Sequence, residues 1–105
     1  MDMTVTDTAL TGLAAKADQA AAFLKLLANE RRLLVLCHLV GDGEMSVNTL
    51  ADQLELSQSA LSQHLARLRE DGLVTFRREA QTLYYRVSDP RVITIMKTLK
   101  KAFCP

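Results

Sequence analysis

Between Ser46 and Gly72 the apolar residues recur at helical spacing in two short segments, joined by a connection of only a few residues. Ser46 is placed to cap the first segment, in which Val47, Leu50, Ala51 and Leu54 point inward, and Glu55-Leu56 leads to Ser57, which caps the second. The second runs to about Asp71, with Leu61, Leu65 and Leu68 at i, i+4 and i+7 and Gly72 just past its end. Two short helices meeting across so tight a turn must share one core. After Gly72 the period changes from helix to strand. Leu73-Val74-Thr75-Phe76-Arg77-Arg78 and Leu83-Tyr84-Tyr85-Arg86-Val87, rich in branched and aromatic residues, flank the polar Glu79-Ala80-Gln81-Thr82 and predict a β-hairpin.

The flanking segments are helical. Residues 1–10 lack periodicity and read as a flexible N-terminal arm. From Leu13 to Leu27 the chain is rich in alanine, and Ala17, Ala20, Ala21, Leu24, Leu27 and Ala28 follow helical spacing, so another helix can approach closely. Asn29 is a plausible cap for a second helix through Val40, with Leu33, Leu36, Cys37 and Val40 on one face and Gly41-Asp42-Gly43 ending it. Asp89-Pro90 opens a last helix whose apolar stripe is Val92, Ile95, Met96, Leu99 and Phe103. The order α-α-α-α-β-β-α, mainly helical with a small hairpin, is that of a winged helix-turn-helix, expected as a single domain over residues 11–105.

Composition narrows the function. A chain of 105 residues, 49% hydrophobic and 24% charged, is neither disordered nor fibrous. No run approaches the roughly 18 apolar residues of a membrane span, and the start lacks a basic region followed by an apolar core and cleavage site, so the cytoplasm is expected. About two-thirds of the unfolded surface is buried at this size, which leaves no deep cleft between domains and favours binding over catalysis. Charge is uneven. Residues 1–56 hold four basic and eight acidic side chains, residues 57–88 five and three, and residues 89–105 four and one. The basic second half suits a polyanion.

With Leu61, Leu65 and Leu68 facing inward, a rotation of about 100° per residue sets Ser59, Gln63 and Ala66 on the opposite face and Gln58, Ser62 and Arg67 toward its sides. That face is small, polar and free of alternating charge; serine and glutamine offer uncharged donors and acceptors and let the backbone approach a base-pair edge. Ser57 and Gln58 stand at the helix N-terminus, where phosphate is attracted, and His64 joins this set of candidate DNA contacts. On the hairpin, Arg77, Arg78 and Arg86 with the Gln81-Thr82 tip are expected to meet phosphates or enter the minor groove. Arg31 and Arg32 are expected to be solvated. The two cysteines, Cys37 and Cys104, lie too far apart in sequence for a CxxC site and are too few for a structural zinc site, leaving either two buried small side chains or a reactive pair.

The stretches Leu27-Ala28-Asn29-Glu30-Arg31-Arg32-Leu33, Leu56-Ser57-Gln58-Ser59-Ala60-Leu61-Ser62-Gln63-His64-Leu65 and Asp71-Gly72-Leu73-Val74 resemble the ArsR/SmtB family of bacterial winged-helix repressors, from about residue 16 to the end. The resemblance implies a homodimer joined by the first and last helices, an imperfect inverted-repeat operator in double-stranded DNA, and repression relieved by an inducer. Metal-sensing members carry cysteines where this chain has Ser46 and Asn48, and members binding zinc on the last helix use Asp and His, whereas beyond Asp89 this helix has neither His nor Glu. No metal and no cofactor is therefore expected.

The pair Cys37 and Cys104 instead resembles the reactive-sulfur and redox-sensing branch of the family. Without that resemblance, Cys37 reads as a buried, inert residue continuing the stripe of Leu33 and Val40. With it, the expected inducer is a persulfide or polysulfide that links the two cysteines by a di- or polysulfide bridge. A plain disulfide needs Cα atoms within about 7 Å, and each inserted sulfur adds roughly 2 Å of reach. A peroxide or disulfide-stress sensor would use the same pair, and a sensor of a soft metal or arsenite would add His38. An enzyme would need a general base that no motif supplies, and a pure protein-interaction module would lack salt-dependent DNA affinity.

Overall fold

The computed structural model describes residues 8–104, with side chains from residue 12 onward. The elements are α1 (Thr8–Ala15), α2 (Ala17–Leu27), α3 (Glu30–Asp42), β1 (Met45–Ser46), α4 (Val47–Leu54), α5 (Gln58–Glu70), β2 (Val74–Glu79), β3 (Thr82–Val87) and α6 (Pro90–Phe103). Of the stretch read as an arm, Thr8 to Leu10 are helical, and residues 1–7 lie outside the described residues. The first helix read from the sequence is two helices. Lys16 leaves helical geometry at φ −117° and ψ 19°, and its N–H closes a tight turn on the Leu13 carbonyl at 3.0 Å.

Capping residues set the other boundaries. The Asn29 side chain accepts from Arg32 N at the start of α3, which runs two residues beyond Val40 to Asp42 and stops at Gly43, where φ is 82°. Ser46 and Ser57 accept from Thr49 N and Ala60 N and start α4 and α5. Asp89 caps α6, with Pro90 in the first turn.

The turn between α4 and α5 is a Schellman closure: Leu56 N bonds the Ala51 carbonyl and Glu55 N that of Asp52, while Glu55 takes the left-handed conformation at φ 55°. The same closure recurs after α5 with Gly72 at φ 78°, where Leu73 N bonds Leu68 O and Gly72 N bonds Arg69 O. It turns the chain directly into the wing. Ser88 then clamps the base of the hairpin, its N–H on Leu73 O and its hydroxyl on Gly72 O.

The hairpin pairs Val74 with Val87 through Glu79 with Thr82, so the strands extend one residue farther toward the tip than expected and leave the two-residue turn Ala80-Gln81. The sheet is three-stranded and antiparallel, in the order β1-β3-β2, with Met45 opposite Tyr85 and Ser46 opposite Tyr84. A strand of two residues carries no periodicity, and β1 exists only through its partner. The core gathers every segment from α2 onward. Leu36, Leu39, Leu50, Leu61, Leu65, Leu68, Leu73, Val35, Val74 and Val92 are all fully buried. Phe76 and Tyr85 add a tilted ring pair at 5.3 Å between centroids.

Candidate nucleic-acid interface and thiol pair

Helix α5 turns Leu61, Leu65 and Leu68 into the core, which leaves Gln58, Ser59, Ser62, Gln63 and Arg67 exposed and His64 half-buried at the flank. Ala66, expected on the outer face, is half-buried because the core contact extends past the leucine stripe. Ser57 is exposed, but its hydroxyl already accepts from Ala60 N at 3.1 Å and lies 3.3 Å from Ser59 Oγ. The same hydroxyl therefore holds the helix start. The outer face of α5 is short side chains with uncharged polar groups, flanked by one arginine.

The wing divides its arginines between two faces. In β2 the side chains alternate, so Val74, Phe76 and Arg78 share one face and Thr75, Arg77 and Glu79 the other. Arg69, which sequence reasoning passed over, lies with its guanidinium 4.9 Å above the Phe76 ring and joins the end of α5 to the face that carries Arg78. The signal for it was a basic residue in the last helical turn, just before an aromatic strand. Gln81 is exposed at the tip and Arg78 along the strand.

On the opposite face Arg77 is fully engaged. Its Nε donates to both carboxylate oxygens of Glu44 at 2.9 and 3.0 Å, its Nη2 lies 2.8 Å from Glu44, and its Nη1 donates to Glu79 at 2.7 Å. Its guanidinium also sits 4.5 Å above the Tyr84 ring. The hydrogen bond from Arg77 holds the Glu44 carboxyl below its ordinary range, and the same contact with Glu79 added raises the Arg77 guanidinium above its own. A parallel pair stands at the start of α6: Arg91 grips Asp89, whose carboxyl is held low by that contact, and stacks 4.4 Å over Phe23 of α2.

The expectation that Arg32 is solvated is overturned. Its side chain is 18% exposed, Nη1 donates to the Leu26 carbonyl at 2.8 Å and lies 3.8 Å from the Asp71 carboxylate, tying the end of α2 to the cap of α5. Arg31 remains exposed.

Both cysteines are free and exposed. The buried face of α3 is Val35, Leu36 and Leu39, which turns Cys37 outward and corrects its reading as a core residue. With six aliphatic residues among its thirteen, this helix does not announce which face goes inward. Cys104 is the C-cap of α6, its N–H on the Lys100 carbonyl at 2.8 Å, and α3 and α6 pack against one another. Among the described residues no three His, Cys, Asp or Glu side chains form a group that could hold a metal ion. Among them, too, no helix is long and apolar enough to cross a membrane.

Against known proteins, the family described as bacterial regulatory protein, arsR family, matches residues 29–75. The transcriptional activator HlyU of Vibrio cholerae is 54% identical over 82% of this chain and 79% of its own length. A structure of reduced HlyU from the same organism superposes with a TM-score of 0.80, covering 90% of this chain and 98% of that one. The HTH-type transcriptional regulator YgaV of Escherichia coli is 45% identical over 93% of this chain and 99% of its own. The crystal structure of the transcriptional repressor BigR from Xylella fastidiosa, 35% identical, gives a TM-score of 0.82 over 90% of this chain and 96% of that one.

Proposed function

The chain belongs to the arsR family of bacterial transcriptional regulators, and we propose that it is a homodimeric repressor whose operator binding is relieved when a persulfide or polysulfide joins Cys37 to Cys104. It is a regulator and not an enzyme. Specific contact falls to the outer face of α5, where Gln58, Ser59, Ser62, Gln63 and His64 meet base edges in the major groove while Ser57 and Arg67 face the backbone. Arg78 and Gln81 of the wing reach the adjacent groove or phosphates. The repressor sign follows BigR, although the name of HlyU assigns that relative the opposite sign.

The observation that carries the sensing step is that both thiols are free and exposed, one on α3 and one at the end of α6, two helices that pack together. The Cys104 thiolate attacks a sulfane sulfur of a polysulfide and expels the remaining chain as a thiolate. The Cys37 thiolate then attacks a sulfur of the Cys104-bound chain and expels its outer portion. Two thiolates are oxidised, one polysulfide is reduced to two smaller anions, and the sulfurs left between the cysteines form the bridge. With a persulfide the first step gives Cys104 persulfide, and attack of Cys37 on Cys104 Sγ releases hydrosulfide and leaves a plain disulfide. Binding α3 to α6 biases the spacing of the two recognition helices, which must match major grooves about 34 Å apart. A coupling of about 1–3 kcal/mol changes operator affinity by about 5- to 150-fold.

Support for the dimer comes from apolar side chains left open on the outer helices: Leu13 on α1, Leu24 on α2 and Phe103 on α6, the last 78% exposed. The test measures DNA affinity and intact mass before and after polysulfide for the native chain, Cys37→Ser and Cys104→Ser. All three are expected to bind DNA, only the native chain to release it, and its mass to rise by whole sulfur atoms less two hydrogens. Release by either variant overturns the bridge. Loss of two hydrogens without added sulfur after polysulfide rules out a polysulfide bridge and leaves only the plain disulfide that a persulfide or a peroxide also forms.

A further inference from the structure

We propose that Arg77 is a positioning residue, a strap anchored on Glu44 that sets the wing against the helix-turn-helix, so that phosphate contact on the wing falls to Arg78 and Arg86. The proposal rests on the DNA-binding reading above. In the sheet order β1-β3-β2, the row Ser46, Tyr84, Arg77 runs across all three strands on one face. Glu44 precedes β1 by one residue, on the far edge from Arg77. The Arg77 side chain therefore crosses the central strand, lying on the Tyr84 ring at 4.5 Å, to reach the Glu44 carboxylate with Nε and Nη2.

The consequence is mechanical. Strand β2 is bonded directly to β3 alone, whereas β1 leads without a break into α4, the first helix of the helix-turn-helix. The strap adds a second connection from the outer strand of the wing to the start of that helix, and Glu79 fixes the remaining Nη1 at 2.7 Å. The guanidinium thus faces two carboxylates and a ring, with its fork matched to Glu44 in two parallel contacts. A group held by two anions is a poor phosphate ligand. Arg78, on the other face beside Phe76, and Arg86, on the Arg77 face opposite Thr75, have no ion pair among the described contacts, and they carry the free charge of the wing.

The two roles of Arg77 predict opposite signs for one substitution. Glu44→Gln removes a negative charge from the protein. If Arg77 contacts phosphate, freeing it strengthens DNA binding; if it is a strap, the wing loosens and binding weakens by about fivefold, the low end of a coupling between sites. The probe is a duplex selected from random-sequence DNA by the native chain, titrated at several salt concentrations with native, Glu44→Gln, Arg77→Lys and Arg77→Gln proteins. The strap predicts weakening in all three variants, with Arg77→Lys as poor as Arg77→Gln because an ammonium has no fork. It also predicts a salt dependence unchanged by Arg77→Gln, whereas loss of a phosphate contact lowers the slope by about 1.

Amide hydrogen exchange of the free proteins supplies an arm that needs no DNA: faster exchange in β2 and β3 of Glu44→Gln is expected. Tighter or unchanged binding by Glu44→Gln, rescue by Arg77→Lys, a lowered slope for Arg77→Gln, or unchanged exchange each overturns the strap. If the native chain selects no duplex, the DNA-binding reading fails, and the exchange measurement still decides the strap.

Discussion

Glu55 occupies the one left-handed position of the turn between α4 and α5, a conformation that costs a residue with a Cβ more than it costs glycine. Gly72 fills the equivalent position after α5. The difference leaves room for improvement: Glu55→Gly is expected to raise stability by about 0.5 kcal/mol, the relief at the left-handed site outweighing the added freedom of the unfolded chain. A urea titration checks it, with the midpoint rising and the slope unchanged. The cysteines teach a related lesson. Cys37 differs from its neighbours Leu36 and Leu39 in nothing that hydropathy can see, yet a rotation of about 100° from Leu36 puts it in solvent while they stay in the core.

At the scale of elements, side chains hold helices in place where the backbone alone leaves them free. Arg32, on α3, donates to the last turn of α2 and faces the cap of α5, so one guanidinium ties three helices that include the proposed reading helix. Arg32→Met keeps the bulk, removes both contacts, and is expected to cost about 1–2 kcal/mol, because a part-buried carbonyl loses its charged partner. Asp71→Asn touches only the 3.8 Å ion pair and is expected to cost less than about 1 kcal/mol. Urea melts of the two variants check the ordering. Sequence reading placed each of these helices within a few residues because caps and breakers act locally: Asn29, Ser46, Ser57 and Asp89 each accept a backbone N–H within three residues. It missed β1 and the interruption at Lys16, neither of which has a local signature.

The whole molecule is long for its size. Its principal extents are 55 × 29 × 19 Å and its radius of gyration is 16.1 Å, against about 13 Å expected for a compact chain of this length. Its outer helices also carry apolar side chains, Leu13, Leu24 and Phe103, which a single chain leaves in water. The proposed homodimer would cover them. Phe103→Glu is expected to weaken self-association by about 2–4 kcal/mol, since a charge replaces a large apolar anchor. Sedimentation equilibrium of the two proteins checks it, and a native chain that is monomeric at micromolar concentration overturns it.

Local chemistry in the chain determined the order of elements, the caps, the hairpin and the polar outer face of α5, because each depends on residues within a turn or two of one another. Only the tertiary structure decided which face of the aliphatic α3 goes inward, that Arg32 is a tie and Arg77 a partner of Glu44, and that Arg69 covers Phe76. Arg77 and Glu44 stand 33 positions apart and meet across an intervening strand. Spacing along a chain says nothing about such a meeting; sheet register does.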